Sequence, residues 1–257
     1  MDILGRIDRF CDAVPRQWAS AMDDGPMRLF TRNGPGWPFY ARPIPGRGAV
    51  TTVEDVARVR LCQRRLDVPE AFEWVYAAAP AMADAVAAAG LGVKVCPLLV
   101  LDGVPADARL PDGFTARLLG PVDGDLPRAA HAVSAVGAAA FGAPPPAAPT
   151  AVDLAALRVG LAAGTVARLL VTGPDGPVAA GSAQRAGDVI ELVGIGTAAA
   201  ARGRGLGAAV TALLAAAARA TGADLVFLGA GDAGATRVYE RVGFRRVGEC
   251  GIAEPAR

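Results

Sequence analysis

The segment from Glu191 to Thr221 places the strongest constraint on how this chain can fold. It begins as an apolar strand, continues through a turn with glycines at positions 203, 205 and 207, and ends in an unbroken helical stretch. Apolar residues recur along that stretch at helical spacing, at Val210, Leu213, Leu214 and Ala217, so one face of the helix is expected to be buried. The sequence therefore predicts a strand, a tight turn and a helix in direct succession.

The turn and the start of this helix together predict an anion-binding site. The first amides of a helix have no partner inside the helix, and the helix dipole adds about half a positive charge at that end. Glycine at 203, 205 and 207 lets a bulky pyrophosphate approach the backbone closely. Arg202 and Arg204 are expected to add full positive charges beside it.

Two other interpretations of these glycines stay open. They are compatible with a turn that binds nothing, since short glycine patterns often arise without a ligand. Gly203, Gly205 and Ala208 also match the G-x-G-x-x-A pattern of dinucleotide-binding folds, but that fold needs further parallel strand–helix units, and only one short helix and one strand follow Leu228. A P-loop is excluded because its motif needs a lysine, and the only lysine is Lys94.

The order of predicted elements indicates the fold class. From Leu110 onward the patterns predict the order β-α-α-β-β-β-α-β-α-β. Strand candidates at 166–172, 178–185 and 189–195 are separated by short turns, which favours an antiparallel meander. A mostly antiparallel sheet that passes into a strand–helix–strand unit is typical of an α/β (α+β) fold with helices flanking the sheet. At the N-terminus, apolar spacing predicts a helix over 7–22.

Two motifs resemble a known family. Arg202-x-x-Gly205-x-Gly207 matches the Q/R-x-x-G-x-G/A signature of the GNAT superfamily of N-acetyltransferases, and the resemblance continues from Asp232 to Phe244. It implies a GNAT-like mixed sheet over a domain at 110–257. Residues 1–109 resemble half of such a domain without the glycine loop, so we expect a tandem arrangement with a degenerate N-terminal copy. The family further implies acetyl-CoA as cosubstrate and transfer of an acetyl group to a primary amine by direct attack in a ternary complex.

The resemblance also assigns a coenzyme site. The end of the strand should pair with the pantetheine arm of acetyl-CoA, and the turn should bind its pyrophosphate. The residues expected in this site are Ile195, Gly196, Thr197, Arg202, Gly203, Arg204, Gly205, Leu206, Gly207 and Asp232. The sequence departs from the family pattern at Asp232, where asparagine is frequent, and at 197–201, which lacks the usual proline or aromatic residue.

Two catalytic roles follow from the same resemblance. Tyr239 resembles the tyrosine that protonates the departing coenzyme thiolate, and Glu191 stands where some members carry the general base. Each has a simpler alternative. Tyr239 shares a helical face with Ala235 and Val242, as a core aromatic would, and Glu191 shares a strand face with Val193 and is also compatible with an ordinary polar residue on the sheet.

Composition excludes several other classes of function. The formal net charge of +1 creates no field that favours nucleic acid or a membrane surface. Four scattered cysteines and a single histidine predict no metal site and a reducing, cytoplasmic location. The acceptor, a small-molecule or peptide amine, and the oligomeric state are left open. Two rival functions also stay open: a non-catalytic sensor or scaffold that binds acetyl-CoA, and an acyltransferase that uses a longer acyl-CoA.

Overall fold

The computed structural model describes residues 2–34, 39–48 and 50–256. Within them the chain divides into two compact units. Unit 1 comprises the described residues up to Leu98, the short segment Gly229–Asp232 and the residues from Arg246 onward, whereas unit 2 comprises Leu99–Leu228 and Ala233–Arg245. This division differs from a single boundary between residues 109 and 110, because 99–109 belong to unit 2 and most of the last strand belongs to unit 1.

The described chain forms seven α-helices and eleven β-strands. In chain order they are α1 (Ile3–Ala13), β1 (Ala19–Asp24), β2 (Met27–Arg32), β3 (Ala41–Pro43), α2 (Val53–Arg65), β4 (Phe72–Val75), α3 (Met82–Ala88), β5 (Leu91–Leu101), β6 (Thr115–Leu118), α4 (Leu126–Ala140), α5 (Ala151–Ala163), β7 (Val166–Gly173), β8 (Gly176–Ala186), β9 (Val189–Thr197), α6 (Leu206–Ala220), β10 (Leu225–Gly229), α7 (Ala233–Val242) and β11 (Phe244–Pro255). No helix in these described ranges has the length and apolarity that a bilayer crossing requires.

The sheet of unit 2 is mostly antiparallel, which confirms the predicted fold class. Strands β6 to β9 pair in sequence order, each antiparallel to the next, and β10 pairs with β9 in parallel. The tight turns between β7, β8 and β9 use Gly176 and Gly187, whose φ angles are +122° and +62°. Only glycine adopts such angles without strain, so the glycines in the sequence determine where the meander folds back.

Helices cover both faces of this sheet. On one face, α4 packs through Leu126, Val133 and Val136 against Leu170 of β7 and Ala180 of β8, with α5 beside it. On the opposite face, α6 packs directly against Gly181 of β8, the residue after Ala180. Successive residues of a strand point to opposite faces of the sheet, so Ala180 faces α4 and Gly181 faces α6.

Helix starts follow the expected capping chemistry. Thr52 opens α2 and Thr150 opens α5, each with an aspartate three residues later, and in both the side chain and the backbone exchange hydrogen bonds. These capping boxes satisfy amides that a helix start leaves unpaired. Gly164, with φ of +66°, ends α5 in a left-handed conformation.

Unit 1 contains its own sheet and core. Strands β1, β2 and β3 pair antiparallel, β3 pairs with β4 in parallel, and β4 pairs antiparallel with β11. One face packs against α2 and α3 through buried residues that include Phe72, Trp74 and Met82. Helix α1 contacts β4.

The N-terminal helix is shorter than the sequence predicts. The expected helix over 7–22 is wrong, because α1 ends at Ala13 and β1 begins at Ala19. Between them Val14–Gln17 form one 3-10 turn that contains Pro15. Proline has no amide hydrogen to donate to the preceding turn, so the apolar spacing beyond it does not extend the α-helix.

Candidate functional site

A bulge distorts β9 where the sequence predicts contact with pantetheine. In the pairing with β8, Ser182 lies opposite Val193 but Ala180 lies opposite Gly196, so β9 contains one extra residue. Gly194 lies within the bulge, with φ of +62°. A bulge bends its strand and interrupts the ladder, and such distortions are common beside functional sites.

Strands β9 and β10 pair only where they begin. Their parallel register runs from Val189 opposite Leu225 to Glu191 opposite Phe227, and β9 then continues for six residues to Thr197. Beyond Glu191 the pairing of these two strands stops within the described residues. On the side of β10, the backbone of β9 beyond Glu191 is therefore not paired with that strand. Pairing with an extended ligand requires such a strand edge.

The glycine turn, residues 202–207, leads directly into α6. Gly203 and Gly205 both have φ of +77°, and α6 begins at Leu206 with Gly205 as its cap residue. Glycine has no side chain to accept from the first amides, and the first bond to the turn is from the Ala209 amide to the Gly205 carbonyl, at 3.0 Å. A Cβ at 203 or 205 would meet no other atom within 4 Å. The turn thus leaves amides and open space together, the combination that binds phosphate at helix starts.

The two arginines of the turn make different contacts. The Nε of Arg202 donates to the Thr197 carbonyl at 3.3 Å and its Nη2 donates to the Ala140 carbonyl at 3.2 Å. Arg202 therefore links the end of β9 to the end of α4. Arg204 is exposed, and its guanidinium lies 5.9 Å from the ring centre of Phe114, a cation–π distance.

Glu191 lies at the point where β9 and β10 diverge. It is the last residue of β9 in register with β10, and it shares a strand face with Val193. Both side chains are half-buried, whereas Ile190 and Leu192 on the other face are buried. Through its pairing with Gln184, Glu191 lies on the same face as Ala180, which is the α4 and α5 side of the sheet. This position lies beside the divergence of β9 and β10. It is compatible both with a general base and with an ordinary polar residue on the sheet.

Tyr239 is buried on α7. It retains 8% of its exposed surface, and its ring lies 6.4 Å from that of Phe244 in a tilted arrangement. Val242, on the same helical face, is also buried. The ring is thus part of the core, which is compatible with a hydroxyl that reaches a pocket from a packed position.

Asp232 belongs to a different unit of the chain from the other predicted site residues. It is exposed just before α7 and belongs to the Gly229–Asp232 segment of unit 1. Glu191, Tyr239, the end of β9 and the glycine turn all belong to unit 2. Within the described residues, no three His, Cys, Asp or Glu side chains are grouped as metal ligands.

Two glycines shape this site by letting a helix come close, and of these Gly196 is on the sequence-based list whereas Gly181 is not. A Cβ at Gly181 would lie 2.8 Å from Val210 Cγ1, and a Cβ at Gly196 would lie 2.7 Å from Ala140 Cβ. Each glycine lets a helix approach the sheet closely, α6 at the first and α4 at the second. A glycine inside a strand is the signal for such an approach, and both positions carry it in the sequence.

The region that contains the glycine turn is similar to a known family. Residues 158–244, which are less than half of the chain, match the acetyltransferase (GNAT) family. The match gives acetyl transfer as the general activity and acetyl-CoA as the family's cosubstrate. No curated protein matches the sequence.

Solved structures show the same fold over the length of the chain. The GCN5-related N-acetyltransferase from Kribbella flavida is 23% identical, with a TM-score of 0.75, and the match covers 100% of this chain and 97% of that one. The enzyme of the same description from Sphaerobacter thermophilus is 19% identical, with a TM-score of 0.56 over 83% of this chain and 71% of that one. A tandem GNAT protein from the clavulanic acid biosynthesis pathway is 16% identical, with a TM-score of 0.54 over 90% and 79%.

Proposed function

We propose that this protein is an acetyl-CoA-dependent N-acetyltransferase that acts on a primary amine in a ternary complex. The observation that carries the proposal is the divergence of β9 from β10 immediately before an uncapped helix start. The pantetheine arm of acetyl-CoA suits the edge of β9 at the divergence, and its charged pyrophosphate suits the helix start. In this proposal residues 1–109 form a degenerate copy of the same domain, residues 110–257 bind the coenzyme, and the protein works in the cytoplasm.

The coenzyme is bound by backbone groups in this proposal. Ile195, Gly196 and Thr197 pair with the amides of pantetheine along the free side of β9. The pyrophosphate lies on the amides of residues 203–207, where glycines leave open space. Arg204, whose guanidinium lies over the Phe114 ring, supplies a positive charge near the pyrophosphate. Arg202 contributes by holding the turn to the carbonyls of Thr197 and Ala140.

The chemistry needs a base and an acid. Glu191 accepts a proton from the ammonium form of the acceptor, directly or through water, and the neutral amine then attacks the thioester carbonyl. The carbon–sulfur bond breaks, and Tyr239 donates its hydroxyl proton to the departing thiolate. The second proton that the attacking nitrogen loses as the amide forms passes through water to the Tyr239 phenolate, which restores the phenol. The acetyl group leaves on the amine nitrogen as an amide. A phenol of ordinary pKa near 10 is close enough to a thiol for this transfer.

The first experiment is a calorimetric titration of the full chain with acetyl-CoA. Gly205→Asp places a negative charge at the helix start and should weaken binding by about tenfold or more. Gly205→Asn is the matched control, since asparagine and aspartate have the same shape and both tolerate a left-handed backbone. Gly222→Asp, at the opposite end of α6 and also at φ of +77°, should bind acetyl-CoA as the wild type does.

The outcomes separate the possible functions. Loss of binding in Gly205→Asp alone supports the coenzyme site, and equal binding by all variants contradicts it. Binding without thiol release from any amine in an acceptor screen would favour the sensor or scaffold. Tighter binding and faster turnover of butyryl-CoA or octanoyl-CoA than of acetyl-CoA would favour a longer acyl donor.

A further inference from the structure

Two cysteines of unit 1 lie against each other on neighbouring strands. Cys96 belongs to β5 and Cys250 to β11, and these strands are adjacent in the sheet. The Cys250 thiol donates to the Cys96 backbone carbonyl at 3.6 Å and is within hydrogen-bonding reach of the Cys96 sulfur. In the structure both cysteines are free thiols.

The two strands run in opposite directions at this point. A Cβ at Gly92 would lie 3.6 Å from the Glu254 carbonyl, and farther along β5 and farther back along β11 the Cys250 sulfur lies 3.6 Å from the Cys96 carbonyl. Cys96 and Cys250 are therefore neighbours across two antiparallel strands. Cβ atoms of directly opposite residues in such strands are about 4.5–5.5 Å apart, and a disulfide needs roughly 3.5–4.5 Å, so a small adjustment closes the bond.

Access to this pair is through Cys250. Cys96 is buried and Cys250 is half-buried. Gly229 is close to the Cys250 sulfur, is exposed and belongs to the same unit. A Cβ at Gly229 would meet only this sulfur, at 3.9 Å, and the glycine leaves that space open. The open space beside Gly229 is therefore the route by which we expect a small oxidant to reach the pair.

The hydrogen bond between the thiols also sets their acidity. The Cys250 thiol donates to Cys96 and so lowers the pKa of Cys96 to about 6, with Lys94 adding a smaller effect. The same bond, together with burial, raises the pKa of Cys250. One sulfur is thus the nucleophile and the other retains its proton, which is the division of roles that disulfide formation requires.

We propose that Cys96 and Cys250 form a reversible disulfide when the protein meets a hydroperoxide. The Cys96 thiolate attacks one peroxide oxygen and becomes a sulfenic acid, and the other oxygen leaves as water after taking a proton. The Cys250 sulfur then displaces the sulfenic hydroxyl, which leaves as a second water with the Cys250 proton. Two thiols and one hydrogen peroxide give one disulfide and two waters, and a dithiol reductant reverses the change.

The test uses hydrogen peroxide on the reduced, full-length protein, followed by alkylation, trypsin and mass spectrometry. Cleavage after Lys94 and Arg109, and after Arg246, yields peptides 95–109 and 247–257, each with one cysteine. We expect these two peptides to appear linked, lighter by two hydrogens than their sum, and to separate with dithiothreitol. Cys62→Ser should leave the link intact and Cys96→Ser should abolish it. A link from Cys11 or Cys62, or no link at all, would overturn the proposal.

A second variant tests the route of access. Gly229→Val places a side chain over the Cys250 sulfur and should slow formation of the link several-fold. Gly231→Val is the matched control, because a Cβ there lies beside Lys94 Nζ at 4.0 Å and not beside a sulfur. Equal rates for wild type, Gly229→Val and Gly231→Val would show that the oxidant does not enter beside Gly229, and would contradict this assignment.

Discussion

The close approach of α6 to β8 makes Gly181→Ala a sensitive test of the fold around the coenzyme site. The new Cβ would lie 2.8 Å from Val210 Cγ1, 2.9 Å from Leu214 Cδ1 and 3.2 Å from Ile195 Cγ1. Carbon atoms usually pack at about 3.5–4.0 Å, so all three side chains must move. Overpacking of this kind costs about 1–3 kcal/mol, and alanine recovers roughly 0.5–1 kcal/mol through the unfolded chain. We expect a net destabilisation of about 1–2 kcal/mol, or roughly 2–8 °C in Tm.

The control for this variant is Gly137→Ala, in the last turn of α4. A Cβ at Gly137 meets no atom within 4 Å, and alanine favours helix by about 0.8–1.0 kcal/mol over glycine, so this variant should be more stable than the wild type. The tryptophans, at 18, 37 and 74, lie early in the sequence and none falls in 99–228 or 233–245. Circular dichroism and calorimetry are therefore needed to follow unit 2. A Gly181→Ala protein as stable as the wild type would refute the packing described for α6.

Three further changes test the catalytic acid and the buried charges of unit 1. Tyr239→Phe should lower kcat by about 10²–10⁴ with the Kd for acetyl-CoA unchanged, and an unchanged kcat would remove its role as acid. Burial raises the pKa of Glu73 from 4.5 to about 7, so the folded protein keeps a proton that the unfolded chain releases. Stability should therefore fall by up to about 3 kcal/mol as pH rises through this window, and Glu73→Gln should flatten the dependence in urea titrations followed by tryptophan fluorescence. Asp8→Ala leaves the buried Arg42 guanidinium without its carboxylate partner and should cost about 3–5 kcal/mol in the same assay, whereas a loss below about 1 kcal/mol would contradict a buried ion pair.

The parts of this protein that local sequence determines were predictable. Glycines at 176 and 187 allow backbone angles that other residues avoid, and the Thr150 capping box marks the start of α5 without reference to the rest of the chain. The glycine turn before α6 belongs to the same class, since both its conformation and its free amides follow from residues that are adjacent in sequence. Periodicity and turn chemistry suffice for such features.

Features that depend on distant contacts were not predictable. The bond from Arg202 to Ala140 spans sixty-two positions, and the sequence alone indicates only a charge beside a turn. The division of the chain into two units was not predictable either, because nothing local to β11 indicates that its residues Cys250–Ala253 pair with β4. Gly181 and Gly196 lie between these cases. Their presence signals a close approach, but which helix makes it depends on the tertiary fold.

The pairing of β4 with β11 also sets an order of events during synthesis. The ribosome produces β1 to β5 early, yet β4 has no partner on this side until Cys250–Ala253 emerge, after all of unit 2 has been made. Unit 1 is therefore first to be made and last to be completed, with an apolar strand edge exposed in the interval. Folding of the N-terminal unit should lag behind the elongating chain, and we expect a chaperone that shields strand edges to bind nascent chains that stop before Cys250.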